Sequence, residues 1–329
     1  MDRRRGWRSA PILAVLLCAC CLGGRLTAQP YWSRDIGGGS NDLTADVKTD
    51  AAGDIYITGE FSGDIQFLGQ ALSSSGGLDL FVAKLHADGS LAWAVRGGGA
   101  GIDRGLKLAV GVNGTIAVAG IFSGAANFFG VALNSAGGTP DMMVAVLDAN
   151  TGAAVWVAQG GGPAGTDRPN GVSMAADGSV AVAGEFIGVA QWGALSLTST
   201  PDASGTPTVD VFVADYSPTG ALNWLRQGAA PADARAIDVA HDAAGDVYVA
   251  GQFSADITFD QPHGNTLQNA TFLVKLSPAG SETWFRRCGG AAYNYVRDIL
   301  VAPSGEVLMA GDVQGSMVFF DSNNTTTAS

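Results

Sequence analysis

"GDIYITGEFSG" occupies residues 53–63, and "GDVYVAGQFSA" occupies residues 245–255. Related phrases stand at 114–120 ("GTIAVAG"), 178–184 ("GSVAVAG") and 305–311 ("GEVLMAG"), so the core phrase occurs five times with a Gly at each end, six residues apart. The closing glycines, Gly59, Gly120, Gly184, Gly251 and Gly311, are 61, 64, 67 and 60 residues apart. A period near 60 over most of the chain is the mark of a repeat architecture.

Each period reads as strands. "IYI" and "VYV" are alternating and β-branched. A Gly turn precedes each, and before that turn lie "ADVKTD" (45–50), "LKLAV" (106–110) and "AIDVAHD" (236–242). Downstream come "FVAKL" (81–85), "MVAVL" (143–147), "FVADY" (212–216) and "FLVKL" (272–276). A second Gly turn follows at Gly89, Gly152, Gly220 and Gly280, and four residues after each stands Trp93, Trp156, Trp224 or Trp284. The spacing predicts four antiparallel strands per period, A to D, and there is no 3.6-residue pattern long enough for a substantial helix. The expected fold is all-β: a β-propeller of repeated four-stranded blades, four complete and an incomplete fifth. A β-solenoid is the alternative, but its coils are shorter and lack two hairpin turns each.

"DAAGDIYITGEF" (50–61) with "DLFVAKLHADGSLAWAVRGGG" (79–99) resembles the SBBP-type β-propeller repeat of exported bacterial proteins, over about residues 32–321. The resemblance implies secretion and a surface or scaffold role, with no shared catalytic residues. "LDANTGAAVW" (147–156) is similar to a quinoprotein propeller repeat in one hairpin turn, although the period here is too long for that class.

The ends carry other signals. Arg3, Arg4, Arg5 and Arg8 precede the apolar run 11–24, and Ala28 offers a cleavage point, so residues 1–28 read as a secretory signal peptide. "LCAC" (17–20) is a rival lipobox that would make Cys20 a lipid anchor. Residues 29–329 are then the repeat domain, expected at the cell surface or outside the cell. Residues 31–42 read as a lone strand D with its trailing loop; 299–324 supply A and B of a fifth unit. No "FVAKL" follows, which predicts truncation of a longer product, an irregular fifth blade being the alternative.

The formal net charge is −12. Without residues 1–28, 13 basic and 29 acidic residues remain, a net charge of −16. Such a surface repels nucleic acid and anionic lipid. No other apolar run is long enough to cross a membrane. Three of the four cysteines lie in the signal segment, so Cys288 can form no internal disulfide.

Features shared by every unit point to architecture, and features peculiar to one unit point to function. An aromatic falls eight residues after each closing Gly (Phe67, Phe128, Trp192, Phe259 and Phe319) and is expected to pack between blades, as are the strand-D tryptophans. "GGGAGID" (97–103) and "GGGPAGTD" (160–167) lack the helix of a phosphate loop and read as blade-to-blade connections. One register in these connections is polar: Asp42, Asp103, Asp167, Asp233 and Asn294. Those carboxylates could hold Ca²⁺, or each could cap main-chain N–H groups in its own loop. No dense calcium-loop spacing occurs, and neither a metal nor another cofactor is expected.

His86, His241 and His263 fall at unrelated registers, and no hydrolase or metalloprotease motif is present. The sequons at Asn113, Asn269 and Asn323 carry little weight if the source is bacterial, as the resemblance implies. Three functions stay open. The first is a secreted or surface-attached binding and scaffold module, its partner a surface glycan or protein. The second is an extracellular carbohydrate-active enzyme, or its accessory domain, using channel-lining acids. The third is a passive spacer in a longer surface protein.

The B–C segment varies most: from closing Gly to the strand-C motif is 22, 23, 28 and 21 residues, with the excess in "LTSTPDASGTPTVD" (197–210). Variable loops on a rigid scaffold tend to carry function. A ligand is therefore expected on the face bearing the B–C and D–A connections, near that loop and Asp103, Asp167 and Asp233.

Overall fold

The computed structural model describes residues 32–34, 36–264, 270–289, 294–313, 317–320 and 325–328. The expected signal peptide, Cys20 and the sequons at Asn269 and Asn323 lie outside the described residues, as does the side chain of Phe319. A short strand, β1 (Ile36–Gly38), leads in. Unit one is β2 (Asp42–Thr49), β3 (Ile55–Phe61), β4 (Asp64–Phe67), β5 (Gln70–Ser73), β6 (Asp79–Leu85) and β7 (Leu91–Gly99). Unit two is β8 (Arg104–Val110), β9 (Thr115–Phe122), β10 (Ala125–Phe128), β11 (Val131–Asn134), β12 (Asp141–Asp148) and β13 (Ala154–Gly160). Unit three is β14 (Arg168–Met174), β15 (Val180–Ile187), β16 (Val189–Trp192), β17 (Leu195–Thr198), β18 (Val209–Tyr216) and β19 (Leu222–Gly228). Unit four is β20 (Ala234–His241), β21 (Val247–Phe253), β22 (Ile257–Thr258), β23 (Pro262–His263), β24 (Ala270–Leu276) and β25 (Glu282–Gly289). Unit five contributes β26 (Asn294–Val301), β27 (Val307–Val313), β28 (Met317–Phe320) and β29 (Thr325–Ala328).

In units one to four, strands A, B, C and D form an antiparallel sheet in that order, for example β2-β3-β6-β7. The described residues contain no helix. The A strands of successive units lie beside one another, β2 by β8, β8 by β14, β14 by β20 and β20 by β26. Each sheet packs on the next through apolar side chains. The seam between units one and two, for instance, buries Tyr56, Val82 and Trp93 with Leu108, Ile116, Val118 and Met143.

The recurring Gly of the opening phrase has a steric cause. Strands A and B carry a β-bulge at the same place in all five units, as between Thr44 and Asp46. The bulge presses strand A onto strand B. A Cβ at Gly59 would stand 1.9 Å from the Leu43 carbonyl oxygen, and one at Gly311 would stand 2.0 Å from that of Tyr295. No larger residue fits there. The same bulge aims Asp46 Oδ2 at the Leu108 amide, 2.8 Å away in the next unit, and Asp238 Oδ2 at the Ile299 amide at 3.0 Å.

The B–C segment differs from the loop expected. It folds as a hairpin that pairs with strand D of the preceding unit. In unit two, Ala126, Asn127 and Phe128 pair with Gly99, Gly98 and Gly97 of β7. Likewise β4 pairs with β1, and β28 with β25, while single bridges join Gly161 to Gln191 and Ala229 to Thr258. The "GGG" runs are thus edge-strand backbone rather than connections. The first three hairpins close alike: the Gly63 amide donates to Ser74 Oγ and the Ser74 amide to the Gly63 carbonyl, as do Gly124 with Ser135 and Gly188 with Ser199. The recurring aromatics sit on these hairpins. Phe67, Phe128 and Trp192 are fully buried, and Phe259 packs against the neighbouring core.

Candidate functional site

The polar register after strand D splits into three environments. Asp103 and Asp167 are fully buried. Asp103 Oδ2 accepts the Gly99 amide and Asp167 Oδ2 the Gly162 amide, both at 2.7 Å. Asp42 binds the Gly38 amide in the same way, at 2.7 Å. Asp233 instead has a side chain 53% exposed and pairs with Arg235 at 3.1 Å. Asn294 is buried. The structure therefore does not gather Asp103, Asp167 and Asp233 into one site; each occupies its own seam.

Sequence reading missed the partners of these acids. Asp79 and Asp141, at the start of strands β6 and β12, are also buried. Their Oδ2 atoms accept the Ser75 and Ala136 amides at 2.7 and 2.9 Å, just past the closing serine of each hairpin. Asp79 and Asp103 converge on Gly98, and Asp141 and Asp167 on Gly161, where the position of a missing Cβ lies 2.6 to 2.9 Å from an oxygen of each carboxylate. Oδ1 of all four lacks a hydrogen-bond partner. Arg96 offsets the first pair through Asp79 at 2.9 Å. In the second pair Gln159 stands where Arg96 would be, and it bonds to Asn134 instead.

Burial pushes Asp167 up to about 7, with the Gly162 amide opposing and the Asp141 charge adding to the rise. It also pushes Asp141 and Asp103 up to about 6. In the next seam Ala229 replaces the central Gly, and the Ala230 amide bonds to Asp210 at 3.0 Å. Asp210 also receives Thr200 and Gln227, so its carboxylate is well served. Burial raises the affinity of these acids for protons, and they close loops, but they are sealed from solvent. Among the described residues, no group of three or more His, Cys, Asp or Glu side chains is disposed to hold a metal ion.

A second constellation was invisible in the sequence. His241 Nδ1 lies 3.0 Å from Ser173 Oγ, and the His241 main-chain amide donates to the same oxygen at 3.1 Å. His241 Nε2 stands 4.0 Å from Asp215 Oδ2. Burial pulls His241 down to about 4 and pushes Asp215 up to about 6. The trio has the composition of a hydrolase triad but not its geometry: the carboxylate is beyond hydrogen-bond reach, and the His side chain is 4% exposed. One cleft is lined by Trp32, Ile36, Ile55, Ile57 and Leu85, and another by Arg96, Phe129 and Thr151; neither includes the trio. Ser173 and His241 thus tie strand A of unit three to strand A of unit four. They lie 68 residues apart, about one period, and alignment of the repeats is the signal that would have placed them together.

The feature peculiar to one unit is the 200–208 segment, which follows the closing Ser199 and is ordered by its own bonds. Asp202 Oδ1 accepts the Ser204 and Thr206 amides at 2.8 and 3.0 Å, and Thr208 Oγ1 bridges the carbonyls of Thr200 and Ala230 at 2.6 and 2.8 Å. Residues 203–207 are all exposed.

No family model matches the chain, and no curated protein matches it. Among solved structures, a protein of unknown function from Bacteroides caccae is similar at 12% identity, over 77% of this chain and 84% of that one, with a TM-score of 0.34. BamB from Moraxella catarrhalis is similar at 13% identity, over 89% of this chain and 97% of that one, with a TM-score of 0.23.

Proposed function

We propose that the chain is an exported β-propeller that binds or scaffolds at the cell surface and performs no chemistry of its own. The five A strands lying side by side, each sheet running outward to strand D, support a propeller arrangement about an axis. The basic and apolar residues of 1–28 support export. The observation that carries the binding role is the ordered, exposed 200–208 segment, present in one unit and anchored by Thr208 to the Ala230 carbonyl in the connection that leads to the next unit. Hydroxyl groups and the Asp202 carboxylate dominate its side chains, which suits a glycan or a polar protein surface. Asp233 belongs to this site, because Val209 N donates to its Oδ1 at 3.3 Å, whereas the burial of Asp103 and Asp167 gives them a supporting role.

Screening the purified chain against surface glycans and extracellular proteins tests the reading. Replacing 201–206 by a short Gly-Ser link, with Ser199, Thr200 and Thr208 retained, should abolish binding of any ligand found, and Asp233→Ala should weaken it. A ligand bound equally by the parent and both folded variants would remove this site from consideration.

A further inference from the structure

Two arginines show how this fold holds a guanidinium. Arg34 and Arg226 each stand two residues after a tryptophan of the strand-D register, Trp32 and Trp224. Arg34 Nε donates to the Gly89 carbonyl at 3.0 Å, and Arg226 Nε to the Gly280 carbonyl at 2.7 Å. Both acceptors are the C–D turn glycine of the following unit. Nη1 of each arginine donates to the carbonyl of the residue before it, Ser33 at 3.3 Å and Leu225 at 3.4 Å.

Val95 holds this register after Trp93 and has no donor to offer the turn glycine, Gly152. Among the described residues no group donates to the Gly152 carbonyl. An open cleft of about 330 Å³ lies there instead, lined by Val95, Arg96, Phe129, Thr151, Gly152 and Ala153. The carbonyl before Val95, that of Ala94, is taken by Gln70 Nε2 at 2.6 Å. Of the two acceptors that a guanidinium uses elsewhere, one is therefore filled and the other is left over.

Phe129 is an unfavourable residue for its place. It has φ +54° and is followed by Gly130 at +100°, a turn that favours Asn-Gly. Gly193 holds the position in unit three at φ +58°. Leu68 shares the conformation in unit one and packs on that unit's core. Phe129 touches Phe128, with ring centroids 6.4 Å apart, but it stays half-buried and lines the cleft. A bulky residue kept in a left-handed turn points to a role beyond the turn. An aromatic face beside an unused carbonyl suits a guanidinium, which stacks on the one and donates to the other. Seam two, with Ala158 and Gly193 at these registers, has neither an arginine nor a ring. Charge favours a cation as well. The chain carries a net −12, Thr151 at the cleft donates to the Asp148 carboxylate at 2.9 Å, and Arg96 is offset by Asp79 at 2.9 Å.

We propose that this cleft receives the guanidinium of an arginine presented by a protein partner, with the Gly152 carbonyl as acceptor and the Phe129 ring as platform. Units one and two build the site, and it rests on none of the contacts of the 200–208 segment.

NMR titration of the isotope-labelled chain tests this, with acetyl-Gly-Arg-Gly-amide as the probe and its lysine and citrulline counterparts as controls. The arginine peptide should shift the Phe129 and Gly152 amide signals, and both controls should bind at least ~3-fold more weakly. Val95→Arg should carry its own guanidinium to Gly152, as Arg226 does to Gly280, and lose the peptide by at least ~10-fold. Phe129→Gly relaxes the turn, as Gly193 does in unit three, and removes the ring; binding should weaken about 3-fold with the fold intact. Free L-arginine should bind less tightly than the peptide, because the cleft has room for the main chain that flanks the side chain; tighter binding would mark a site for the amino acid and overturn the proposal. It is also overturned by an arginine peptide that leaves Phe129 and Gly152 unmoved, by equal binding of the lysine peptide, or by folded Val95→Arg and Phe129→Gly variants that bind as the parent does.

Discussion

The indole Nε1 of Trp156 donates to the carbonyl oxygen of Pro218 at 3.1 Å, across the seam between units two and three. The same tie joins Trp93 to Ala149 at 3.2 Å and Trp224 to Pro278 at 3.0 Å. Each indole also lies on the C–D turn glycine of the next unit. The tryptophans are interface residues of the array. Trp156→Ala should cost about 3–5 kcal/mol, the range for truncating a buried aromatic. Trp156→Phe should keep most of the packing and lose about 1 kcal/mol with the hydrogen bond. Urea titration of both variants checks the ordering.

Two turn glycines separate backbone strain from contact. Gly220 has φ +84° and a Cβ there would meet Trp156 Cγ at 2.7 Å; Gly305 has φ +89° with open space around it. Gly305→Ala should cost about 1 kcal/mol from backbone strain alone. Gly220→Ala should cost a further 1–3 kcal/mol, roughly the penalty for overpacking. Equal losses in denaturant unfolding would mean that the indole does not lie on the turn.

The Asp141–Asp167 pair gives stability a pH dependence of definite sign. Both acids titrate higher in the folded chain than in the unfolded one, near 6 and 7. Their proton-linked contribution is full below the unfolded carboxylate range, and it is lost as pH rises through 6 and 7. Asp167→Asn removes one of the two negative charges while its amide oxygen can still accept the Gly162 N–H. The variant should gain on the order of 2 kcal/mol relative to the parent between pH 5 and pH 8. Parallel melts at the two pH values measure this, and a constant difference would count against the buried pair.

Cys288 should be inert in the native chain. It is 4% exposed, and burial pushes its thiol up to about 11. Iodoacetamide should label it only under denaturing conditions, as mass spectrometry would read directly.

The strands of the four full units were legible because Gly-to-Gly and Gly-to-Trp spacings repeat without error, and each spacing marks a steric contact. The hairpins were less so. "DIQF" (64–67) alternates, with Ile65 and Phe67 buried, but a strand of four residues is too short for periodicity to separate it from a loop, and its partner strand belongs to another unit. The acids at 103 and 167 were visible as a register. Asp79, Asp141 and Asp210 also share a register, two residues before the strand-C motif, but a lone Asp at the start of a strand does not show that it packs against the acid after strand D. Ser173 and His241 meet across strands about one period apart, a closeness that neither local pattern nor motif can express.

The hairpin that pairs with the preceding strand D has a bearing on how the chain is made. Gly97, Gly98 and Gly99 stay a bare sheet edge until residues 126–128 have left the ribosome. The piece that folds as a unit is therefore offset from the piece that repeats. Cutting the gene at the sequence period would leave one product with an open edge and another with an orphaned ribbon. A fragment that folds cleanly should end just after a hairpin, and domain boundaries for expression are better placed there.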